Sequence, residues 1–186
     1  MTNFCFSLDF ELAIGINSSQ HSKHIDPLIG RKAIPKIIIL CKKYDVPATF
    51  ATVGELFKKQ SDNSDVFHAL DLINLIKDND FEIACHGLTH TSFNMLDKDL
   101  AEKEILECIR LAKKLNIKFK SIIFPRNAVR YLNLVEKHGF THFASNPFPK
   151  GFLVDFNPKQ FSFSKPSKLT DFKLTEVPRT RHLKPI

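Results

Sequence analysis

The feature that most limits the fold of this 186-residue chain is a regular alternation of short apolar runs with longer amphipathic ones. Residues 3–9, rich in Phe, Cys and Leu, suit a buried strand. Residues 28–44 place Ile34, Ile37, Ile38 and Cys41 at helical spacing, with Pro35 tolerated only near the helix start. Residues 47–53 read as a second strand closed by Gly54, residues 65–77 as a helix through Val66, Leu70, Ile73 and Ile76, and residues 81–85 as a third strand. Asp97 then caps a long helix to Leu115, with Ala101, Ile105, Cys108, Ala112 and Leu115 as its inward stripe. Residues 121–124 follow as a strand, 131–138 as a helix stopped by Gly139, and 141–144 as a fifth strand. Such repetition predicts an α/β fold of parallel strands and crossover helices, either an open sheet or a closed barrel.

After Ser145 the alternation stops. Pro147, Pro149, Pro158 and Pro166 break any helix, while Phe148, Phe152, Phe156, Phe161 and Phe163 are too apolar for a free linker. Residues 1–144 are therefore read as the core, and 145–186 as a Phe- and Pro-rich loop with one last strand, residues 173–177, in the same domain. The formal charge of +7 lies mostly in that second segment, where 8 basic residues face 3 acidic ones. A solvated, lysine-rich surface explains this better than a polyanion-binding arm, since no nucleic-acid motif accompanies it. Nucleic acid is not an expected partner.

The first residues lack the basic start and apolar run of a secretory signal, and no apolar stretch approaches the ~18 residues that span a bilayer. Cys5, Cys41, Cys85 and Cys108 are scattered without a CxxC pair, which reads as reduced, mostly buried thiols. The expectation is a cytoplasmic protein with no transmembrane segment.

Three clusters fall where predicted strands end, the edge at which parallel α/β folds assemble their sites. In Ser7-Leu8-Asp9-Phe10-Glu11, alternation points Asp9 and Glu11 together and sends Phe10 into packing. Two such carboxylates can divide metal binding and proton acceptance between them. In Cys85-His86-Gly87-Leu88-Thr89-His90 the two histidines stand at i, i+4, one face of a helical turn, where two imidazoles can meet one ion such as zinc. In Phe124-Pro125-Arg126-Asn127, an arginine held by proline can pair with a carboxylate in fixed geometry. Two histidines with one or two carboxylates form a set of the catalytic kind, with an open metal position.

The order and spacing of these clusters resemble the polysaccharide deacetylase family, the group with the NodB-type homology domain, over residues 3–144. Val46-Pro47-Ala48-Thr49-Phe50-Ala51-Thr52-Val53-Gly54 is similar to the family's second strand, and Phe81-Glu82-Ile83-Ala84-Cys85-His86 to its third. The resemblance implies a distorted parallel (β/α) barrel and a metal-dependent hydrolase removing an acetyl group from a sugar or polysaccharide precursor. An N-acetyl amide, a non-peptide C–N bond, is preferred over an O-acetyl ester. It further implies Asp9 as general base, Arg126 as the residue that orients and tunes it, and Glu11, His86 and His90 as ligands of a divalent metal, with zinc preferred.

Three departures from the family shape that reading. Phe10 stands where the family has a second Asp, so the carboxylate-ligand role passes to Glu11; Gly87 stands where a Ser or Thr braces the histidine loop. The late Leu-x-His motif has only a reversed likeness, Arg181-His182-Leu183, so the barrel is expected to be incomplete and short of its general acid. That expectation supports the alternative function, a non-catalytic or weakly active deacetylase-like binding protein. The expected partners are an acetylated sugar carried on an anionic nucleotide or lipid, and a second copy pairing at the open barrel edge.

Overall fold

A computed structural model describes residues 6–17, 26, 28–59, 67, 69–145 and 166–178. Strands β1 (Phe6–Phe10), β2 (Ala48–Thr52), β3 (Glu82–Cys85), β4 (Ser121–Ile123) and β5 (His142–Ser145) lie side by side in chain order, all parallel. Helices α1 (Leu12–Asn17), α2 (Ile29–Lys43), α3 (Leu70–Asp78), α4 (Lys98–Lys114) and α5 (Leu132–Lys137) lie on the connections between them. Beyond β5 the sheet gains β7 (Thr175–Pro178), parallel to β5, and β6 (Ser167–Lys168), antiparallel to β7. Among the described residues no pairing joins β6 back to β1, so the sheet is a curled, incomplete barrel.

The register explains the packing. Phe10, Thr52, Cys85, Ile122 and Phe143 are successive partners across the five strands, so their side chains share one face. All are buried, in a core with Ile34, Ile38, Leu72, Ile73, Ile76, Ile105 and Cys108 of the covering helices. The opposite, concave face carries small groups instead: Ala51 and Ala84 form a second cluster with Ile123 and Ala144. Asp9 pairs in register with Ala51 and so belongs to this inner face. Lower on it, Glu82 accepts hydrogen bonds from Thr49 Oγ1 and Ser121 Oγ, both at 2.7 Å, which ties β2, β3 and β4 together.

Two sequence expectations need correction. Pro35 is not confined to the start of its helix: α2 runs through it, with seven residues from Ile29 to Pro35 and more than two turns beyond. The final segment is not a single strand but a hairpin-like pair, and β6, two residues long, was too short to leave a periodic signal. The six-residue α1 was likewise not foreseen. Cys41, Cys85 and Cys108 are buried free thiols as read, and Cys5 lies outside the described residues. So do Pro147, Pro149, Pro158 and the five phenylalanines from Phe148 to Phe163, and the Arg181-His182-Leu183 likeness. No helix of the described residues is long and apolar enough to cross a membrane.

The Asp97 carboxylate accepts the Leu100 N–H at 2.8 Å and caps α4, the longest helix, as its sequence predicts. Asp97→Ala is expected to cost about 1 kcal/mol, seen as a lower urea midpoint with an unchanged m value.

Candidate metal centre

Parallel pairing delivers the ends of β1, β3 and β4 to one rim. Glu11 follows β1 directly, His86 follows β3, and Arg126 lies in a short turn, Pro125–Asn127, just past β4. The chain bends sharply as it leaves each strand. Leu12 (φ 46), Gly87 (φ 71), His90 (φ 63) and Arg126 (φ 55) all adopt left-handed backbone. The His86–His90 stretch is therefore a loop, not the helical turn that the i, i+4 spacing suggested. Its bends still bring the imidazoles together, with ring centroids 5.1 Å apart.

His86 is only 1% exposed. Its Nδ1 sits 2.6 Å from the Ile123 carbonyl, which can only accept, so Nδ1 carries the proton and Nε2 keeps its lone pair. Burial pushes the His86 pKa down, against the Asp9 carboxylate, the Ile123 bond and Glu11, which favour the charged form, and in spite of them it ends below its ordinary value. The neutral ring is the form that can ligate.

Glu11 Oε2 lies 2.7 Å from His90 Nε2 and 3.9 Å from His86 Nε2. Burial alone would raise this carboxyl, but the contact with His90, and then the charges of His90, His86 and Arg126, outweigh it and hold it below the usual range. Glu11 Oε2, His86 Nε2 and His90 Nδ1 are nevertheless buried with no well-aligned hydrogen bond. Groups so close together and so poorly satisfied by one another call for a shared partner. One ligand atom from each of Glu11, His86 and His90 falls within 4.8 Å of the others, as ligands around a single ion would. Two imidazole nitrogens and a carboxylate oxygen suit a divalent transition metal such as zinc.

Of the five residues singled out from sequence, Glu11, His86 and His90 converge. Asp9 is exposed on the inner face, close enough for its charge to act on His86, and Arg126 acts on Glu11 in the same way. Sequence reasoning missed Glu104. This carboxylate on the buried side of α4, 9% exposed, accepts hydrogen bonds from the Leu88 and Thr89 N–H groups at 2.7 and 3.0 Å and from the Thr89 hydroxyl at 2.8 Å. A charge within the apolar stripe, three residues after Ala101 and four before Cys108, was the signal available. Of the remaining histidines, His138 contacts Glu102 at 2.7 Å and His142 belongs to β5, whereas His21, His24, His68 and His182 lie outside the described residues.

The same loop explains Gly87. At φ 71 a side chain is strained, and a Cβ would stand 3.2 Å from Pro125 Cγ and 3.5 Å from Glu104 Oε2. The bracing hydroxyl comes from Thr89 instead. Gly87→Ser is expected to destabilise the protein by about 1–3 kcal/mol rather than restore a family brace, as measured by chemical denaturation.

Residues 26–143 match the family model described as polysaccharide deacetylase. No curated protein matches significantly. Among solved structures, a protein from Mycobacterium smegmatis described as a candidate polysaccharide deacetylase aligns with a TM-score of 0.65 at 18% identity, over 95% of this chain and 59% of that one. A carbohydrate esterase family 4 pseudoenzyme from Bacillus anthracis aligns at 0.55 and 17% identity, over 75% of this chain and 42% of its own. The PuuE allantoinase aligns at 0.55 and 16% identity, over 95% and 61%. The chain thus spans less than two thirds of the length of each of these proteins. At such identities the structural likeness speaks for the fold, a deacetylase-type (β/α) barrel, while the match of the family model over more than half of the sequence shows that this chain belongs to the polysaccharide deacetylase family.

Proposed function

We propose that this chain carries the active site of a divalent-metal-dependent hydrolase that removes an acetyl group from a sugar or polysaccharide precursor, with an N-acetyl amide preferred over an O-acetyl ester. The observation that carries the reading is the convergence of Glu11, His86 and His90 at one rim, with one ligand atom of each within 4.8 Å of the others and with His86 Nε2 buried and without a hydrogen bond. These three residues would hold the ion, zinc being the metal that best suits the set. Bound there, a divalent ion supplies Lewis acidity and makes water a stronger acid near neutral pH.

The remaining roles fall to the chain itself. Asp9, on the concave face with its charge acting on His86, would take the proton of the attacking water as general base. Arg126, fixed by Pro125 at the end of β4, orients and tunes Asp9 and adds positive charge near the carboxylates. The Ile123 carbonyl keeps His86 in one tautomer, with the Nε2 lone pair available to an ion.

An acetylated sugar joined to an anionic nucleotide or lipid would also suit the basic segment after Ser145, in a cytoplasmic protein. The open sheet edges offer a place for a second copy of the chain.

Acetate release from acetylated sugars tests the reaction. Full activity is expected with a bound divalent ion, loss on chelation, and return on adding zinc or another divalent metal. Asp9→Asn is expected to lower turnover by about 10²–10⁴-fold while the protein still binds metal. Acetate release unchanged in that variant would remove Asp9 from the mechanism.

A further inference from the structure

The loop that joins the two histidines has no side chain of its own at Gly87, and its backbone is held from two sides. Along one side its carbonyls are satisfied by main-chain donors: Gly87 O accepts from Gly54 N at 2.8 Å, and Leu88 O from Glu55 N at 2.9 Å. The strand end before it is fixed where His86 N donates to Thr52 O at 3.1 Å. Along the other side, among the described residues, the N–H groups of Leu88 and Thr89 both donate to Glu104. Both of its oxygens are used, since Oε2 takes the two amides and Oε1 takes the Thr89 hydroxyl. Thr89 Oγ1 in turn lies 2.7 Å from Thr91 Oγ1, which extends the network past His90.

An ionised carboxylate is an acceptor with no proton to offer, and every partner here is a donor. Charge-assisted bonds to backbone N–H are the stronger kind, and Glu104 makes them in a largely buried setting. The residues it grips lie between the two candidate ligands, and His90 is in a left-handed conformation that the loop must impose. Without Glu104 the Leu88 and Thr89 amides lose the acceptor that holds this side of the loop.

We propose that Glu104 is a positioning residue that sets the geometry of the His86–His90 pair from the far side of the loop, and so controls how well the centre binds its ion. This rests on the metal reading above and deepens it. Glu104 does not touch the reacting atoms; it acts through Leu88 and Thr89. Its helix supplies the rigidity, since α4 is capped by Asp97 and seated on the core through Ala101, Ile105, Cys108 and Ala112.

Two measurements on the full chain test this, with Glu104→Ala and Glu104→Gln. In the metal-free protein, amide hydrogen exchange at Leu88 and Thr89 should accelerate by at least about tenfold in Glu104→Ala, while amides of β2 and β3 keep their rates. Glu104→Gln, which keeps an acceptor oxygen for both amides and a polar group for Thr89, should restore most of the protection. Zinc affinity, by competition with a chromophoric chelator, should fall about 10–100-fold in Glu104→Ala and largely recover in Glu104→Gln. Unchanged exchange at Leu88 and Thr89, or acceleration throughout the sheet, overturns the proposal, and so does equal zinc affinity in Glu104→Ala and the parent protein. Should the parent protein bind no zinc, the metal reading falls and the exchange data alone decide the role of Glu104.

Discussion

Five consecutive strands run parallel in chain order, so the chain leaves each of them at the same rim and re-enters at the opposite one. That constraint gathers Glu11, His86 and Arg126 from distant parts of the sequence onto one edge. It also fixes which side chains face inward. Phe10 lies in register with Thr52 and Asp9 with Ala51, so the larger side chain joins the core and the carboxylate joins the concave face. A slip of one residue in β1 would bury Asp9 under the helices and expose Phe10, a loss on both counts. The hydrophobic set of the first strand therefore protects the chemistry at its end.

The two rims treat left-handed backbone differently. At the helix-to-strand turns it falls to Asp45, Asp80, Asn116 and Gly139, residue types that tolerate it. At the site rim it falls to Gly87, His90 and Asn127 but also to Leu12, Arg126 and Tyr131, which do not tolerate it, at roughly 1–3 kcal/mol each. The surrounding contacts hold these conformations in place. Phe93 and Phe124 pack edge to face at 5.2 Å under the two loops, and the Tyr131 hydroxyl donates to the Leu96 carbonyl at 2.8 Å. Strain on one rim and its near absence on the other mark where precision matters.

Much of this was legible in the sequence, because hydrophobic period and strand length are local properties. The β1 to β5 strands, the cap at Asp97 and the inward positions Ala101, Ile105, Cys108 and Ala112 of α4 follow from such local rules, whereas Leu115 lies just past the helix, half-buried; the three motifs fell at strand ends because the alternation said where strands end. What was not legible depends on contacts between distant segments. Gly87 looked like a missing brace until its left-handed backbone and the closeness of Pro125 showed that a side chain there would be strained, and Glu104 gained its meaning only once α4 lay against the loop. Likewise the i, i+4 spacing of His86 and His90 was a correct signal for proximity with the wrong backbone attached to it. The tertiary setting overrode the local helix, and a left-handed residue at each bend did the same work.

One physical claim is central: Glu11, His86 and His90, gathered at one rim with a ligand atom of each within 4.8 Å of the others, are arranged for an ion. X-ray absorption at the metal edge of the zinc-loaded protein measures this directly. Nitrogen and oxygen scatterers are expected at about 2.0–2.1 Å with the outer-shell pattern of two imidazoles. A shell of sulfur near 2.3 Å, or of oxygen without imidazole, would contradict it.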